Sequence, residues 1–202
     1  MPLTPPRSDI LAEFHQPRSG IELLVDRMPF PNYGENASIG NLYALAEISA
    51  RSLLNRIHHT LFFTDSLTIY TGGSLDATAS SSRMAVLNPD ASLVRVCGEL
   101  DRQLETWYES LPDVIKPDLE NSTASGNSQA LVMRLRYWSA KQNIYRAFVI
   151  YVTSRPWEGG VTVPPAVMEM CDACLHACRI FIITSQPILI ERTPYTYNTA
   201  QL

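Results

Sequence analysis

Three of the four cysteines in this chain fall within CDACLHACRIF, Cys171 to Phe181, and His176 stands among them. Thiolates and an imidazole are zinc ligands, and a Cys-x-x-Cys pair can do thiol–disulfide chemistry. Spacing separates these readings. On a helix, Cys171, Cys174 and Cys178 share one face with Val167, Phe181 and Ile182. His176 lies about 140° round from Cys171 at about 100° per residue, so it points away. A structural zinc site needs four convergent ligands, and the remaining cysteine, Cys97, sits on the apolar stripe of another helix. A thioredoxin-type pair follows a strand, and no strand pattern precedes Cys171. The expectation is a core helix whose cysteines pack as small hydrophobes, with a metal site and a redox pair as the alternatives.

Other reactive groups are dispersed. His58 and His59 are adjacent, so a helix turns them about 100° apart and they cannot chelate as an i,i+4 pair would. TGGS at Thr71 has two glycines but no lysine and no helix pattern after it, unlike a phosphate cradle. Nucleophile-elbow, P-loop and Gly-x-Gly-x-x-Gly patterns do not occur. RLRYWSAKQNIYRAF mixes Arg134, Arg136, Lys141 and Arg146 with aromatics, as some single-strand binders do. These four cations do not share a helical face, so they are expected to pair with acids or extend to solvent. Arg146 lies in an apolar stretch and needs an acid or ring if buried. Glu99 or Glu105 could supply one. No catalytic, cofactor-binding or metal-binding residue is assigned.

The elements that carry these residues are helical. The chain has 202 residues, 46% hydrophobic and 18% charged, with a net charge of −4. That suits one domain with a sizeable core. Its only lysines are Lys116 and Lys141, and no basic cluster suits a phosphate backbone. The N-terminus lacks a basic-then-apolar leader, and IFIITSQPILI is too short and too interrupted to span a membrane. An intracellular setting with free thiols is therefore expected.

Four long helices are predicted. The first covers Ile39 to Phe63, with a stripe of Leu42, Leu45, Ser49, Leu53, Ile57 and Leu61, widened by Ala46 and Leu54, and a Glu47–Arg51 pair on another face. The second opens at Asn88-Pro89 and presents Leu93, Val96, Cys97, Leu100, Leu104, Trp107 and Leu111 before Pro112 stops it. Glu99, Asp101, Glu105 and Glu109 are expected on its outer face. The third runs from about Ala130 to Thr153 and is apolar on most sides from Ile144 onward. The fourth opens at Pro164-Pro165 and ends near Pro187. Polar linkers, TGGSLDATASSSR and ENSTASGNSQ, join them, and an all-α domain follows.

ALAEISARSLLNRIHHTLF, GELDRQLETWYESLPDVIKPDL and RLRYWSAKQNIYRAFVIYV resemble the fungal-specific transcription factor domain. This is the middle regulatory region of fungal zinc binuclear-cluster factors. The likeness covers roughly residues 39–194, leaving an irregular segment 1–38 and a tail 195–202. WYESLP and the Tyr145-Arg146-x-Phe148 pattern are its most telling pieces. The resemblance implies a nuclear, non-catalytic, all-helical regulator of transcription. It also implies protein partners, either the transcription machinery or a full-length relative. Zinc and DNA contacts would belong to an N-terminal six-cysteine domain that this chain lacks. Three departures stand out: no sustained heptad region, Ala147 where the family commonly has proline, and an end soon after ERTPYTYNTAQL where the family continues with more helices.

Two function classes make different demands. A regulatory interaction module leaves apolar surface where further helices would pack. A small-molecule-binding helical protein or enzyme needs a pocket lined by convergent polar groups from helices three and four. No such polar set is legible. A truncated, non-functional fragment is the third expectation.

Overall fold

A computed structural model describes residues 29–34, 37–62, 91–120, 128–153 and 163–191. These form four helices and, among the described residues, no strand. They are α1 (Ile39–Phe62), α2 (Ala91–Ser110), α3 (Ser128–Thr153) and α4 (Pro165–Glu191). The Asn88-Pro89 opening, the linker at 71–83 and most of ENSTASGNSQ lie outside the described residues.

Helix α3 is the hub. It packs most extensively on α4, then on α1 and α2. Almost every residue from Leu131 to Trp138 is buried, as are Ile144, Tyr145, Ala147 and Phe148. A helix apolar on most sides must be enclosed on most sides. Burying a side chain such as Phe148 or Ile144 contributes about 1.5–3 kcal/mol, so this enclosure supplies much of the stability.

Helix α1 meets the core through Tyr43, Ala46, Ala50, Leu53, Leu54, Ile57 and Leu61. This line is rotated from the predicted stripe. Leu42, Leu45 and Ser49 are only half-buried, while Ala46 and Leu54, expected at the stripe's edge, are buried together with Ala50. On α2 the predicted stripe is the observed one, with Leu93, Cys97, Leu100, Leu104, Trp107 and Leu111 buried and Val96 packed at its edge. Pro112 ends it as expected. The next turn folds back, with Ile115 N–H donating to Pro112 O at 2.9 Å and the Ile115 side chain buried.

Helix α4 starts at the predicted prolines but continues through Pro187 to Glu191. An interior proline removes one backbone donor and crowds the preceding turn. Tertiary anchors sit immediately before it. Thr184 and Ser185 are buried. The Thr184 hydroxyl accepts from Arg134 Nε at 3.0 Å, and Ser185 Oγ donates to Ile182 O at 2.8 Å. Ile182 corrects another expectation: it is 66% exposed rather than buried with the cysteines. The buried line runs Val167, Cys171, Cys174, Ala177, Phe181, Thr184. Steps of three and four average below 3.6, so the line drifts round the helix and leaves Ile182 outside it.

Candidate functional site

The cysteine helix can be read from its neighbours. Cys171 and Cys174 are buried, and Cys178 is half-buried. Cys174 Sγ donates to Gln142 O at 3.6 Å, and Cys178 Sγ donates to Gln142 Oε1 at 3.1 Å. On α2, Cys97 Sγ donates to Ile144 O at 3.3 Å. Burial, aided by the neighbouring Cys178, pushes the Cys174 thiol up to about 12. Burial, with the Asp101 charge, does the same to Cys97. Such thiols stay protonated at neutral pH and are poor nucleophiles and poor ligands. His176 is exposed on α4, and its ring lies edge-on to Trp138 at 5.4 Å. Among the described residues, no group of three or more His, Cys, Asp or Glu side chains could hold a metal ion.

The cations of α3 diverge as the sequence implied, and each ties a different neighbour. Arg134 Nη1 donates to Asp118 O at 2.7 Å while its Nε reaches Thr184 on α4. Arg136 Nη2 donates to Glu47 Oε1 on α1 at 2.9 Å. Lys141 Nζ lies 2.7 Å from both Asp101 and Glu105 of α2. Glu105 also accepts from Tyr137 Oη at 2.6 Å. Asp101 and Glu105 therefore face α3, not the outside as expected. Arg146 was expected to find Glu99 or Glu105. Glu105 is engaged by Lys141 and Tyr137, Glu99 is held by Arg102 and Gln103, and the Arg146 charge is felt at Cys174. These contacts tie α3 to α1, α2 and α4.

An open groove of about 480 Å³ lies between α1 and α2, lined by Arg56, Thr60, Arg95, Val96, Glu99, Leu100 and Gln103. It is not the predicted pocket, which needed polar groups from α3 and α4. Its polar lining is internally paired: Arg56 Nη1 donates to Gln103 Oε1 at 2.8 Å, and Gln103 Nε2 donates to Glu99 Oε1 at 2.9 Å. Hydrogen bonds from Arg102 and Gln103 hold the Glu99 carboxyl down at about 2. A ligand would have to break these contacts at an exposed site.

The outer face of α4 is different, because among the described residues its apolar groups are exposed. Met168, Leu175, Ile182 and Leu189 recur every seven residues and are all exposed, as are the adjacent Ile183 and Ile190, the latter at 72%. Sequence reasoning missed this stripe and found no sustained heptads. The opposite face of α4 is apolar too, which flattens the helical periodicity. A seven-residue count from Met168 was the signal that could have found it. No described helix is long and apolar enough to cross a membrane. Comparison with protein-family models, curated proteins and solved structures finds no match for the chain.

Proposed function

We propose that the chain is a non-catalytic regulatory and interaction domain of a fungal transcription factor. It works in the nucleus by protein contact, and DNA binding lies outside this chain. The observation that carries this reading is the exposed apolar stripe on α4, since clustered apolar surface is what an interaction module presents. The blocks that carry the family resemblance support it by their role in the fold. Trp107 of WYESLP donates from Nε1 to Ser49 Oγ at 2.9 Å. Tyr108 Oη donates to Pro117 O at 2.9 Å. Tyr145 and Phe148 are buried with their rings 6.4 Å apart. The blocks thus interlock α1, α2 and α3 behind α4.

The test tethers the full chain to a heterologous DNA-binding domain and reads a nuclear reporter. The expected result is a change in reporter output that Leu175→Arg or Ile182→Arg abolishes while helical content is kept. A tethered, folded chain that leaves the reporter unchanged overturns the reading.

A further inference from the structure

We draw no further inference here: the strongest candidate, the exposed apolar face of α4 through Met168, Leu175, Ile182 and Leu189, carries nothing, because Asp172, Arg179 and Gln186 interrupt it and nothing in the structure shows what covers it.

Discussion

Arg136 on α3 donates from Nη2 to Glu47 on α1 at 2.9 Å, and the arginine side chain is only 8% exposed. Glu47 is also held by Arg51, one turn along its own helix, at 2.7 Å. The i,i+4 pair foreseen on α1 is thus one side of a junction between two helices. Removing one partner of a buried pair leaves a desolvated charge behind. Glu47→Ala is expected to cost about 3 kcal/mol in chemical denaturation, the low end for such losses because Glu47 keeps some solvent contact. Arg136→Met should cost less, since Glu47 retains Arg51. Equal and negligible costs would show that the junction does not stabilise the fold.

The same carboxylate sets an acid limit. Burial pushes Glu47 up, but Arg136 and Arg51 together outweigh it and hold the carboxyl below its ordinary range. A depressed folded-state value means stability is fully present above the unfolded value. It is lost as pH falls through the folded one. Melting temperature should therefore drop as pH falls below about 4.5. Glu47→Gln should flatten that limb while lowering the neutral plateau. A variant with the wild-type acid slope would remove Glu47 as its source.

Trp107 joins α2 to α1 through packing and one hydrogen bond to Ser49, whose Oγ in turn donates to Ala46 O at 2.9 Å. Trp107→Ala is expected to cost about 3–5 kcal/mol, the range for deleting a buried aromatic ring. Trp107→Phe keeps much of the ring and loses the donor, so about 1 kcal/mol is attributable to the hydrogen bond. A phenylalanine variant as unstable as the alanine one would mean that the indole shape, not its volume, is what α1 requires.

The four helices were legible because long stripes of Leu, Val and Ile at helical spacing admit few alternatives. The α2 stripe was read almost residue for residue, since its other face is charged and the contrast is sharp. On α1 the chosen leucines outweighed Ala50 and left Ala46 at the stripe's edge. Small residues let helix backbones approach closely but add little to an apolar pattern. On α3 and α4 the contrast fails. Arg134 and Arg136 are buried among apolar residues because Asp118 O, Thr184 and Glu47 receive them. Those partners lie 16, 50 and 89 residues away, beyond the reach of a local pattern. The outer stripe of α4 was hidden for a related reason, because hydropathy cannot say which of two apolar faces the fold will cover.

The cysteines give the last prediction. Buried thiols held well above neutral pH react slowly, because the thiolate is the nucleophile. At pH 7.5 the folded chain is expected to react slowly with a disulfide reagent at Cys97, Cys171 and Cys174. Cys178, half-buried, should lead. All four of the chain's cysteines should react quickly once denaturant is added. The ratio of the two rates reports how often the core opens, so variants at Glu47 or Trp107 should raise the folded-state rate in step with their loss of stability. Cys174→Ser tests the packing role directly. A hydroxyl in the place of a buried thiol lowers stability by about 1–3 kcal/mol, because it is smaller and more polar. It should leave zinc content, measured on protein purified without chelator, unchanged. Zinc bound by wild type and lost from Cys174→Ser would make the fourth helix a metal site.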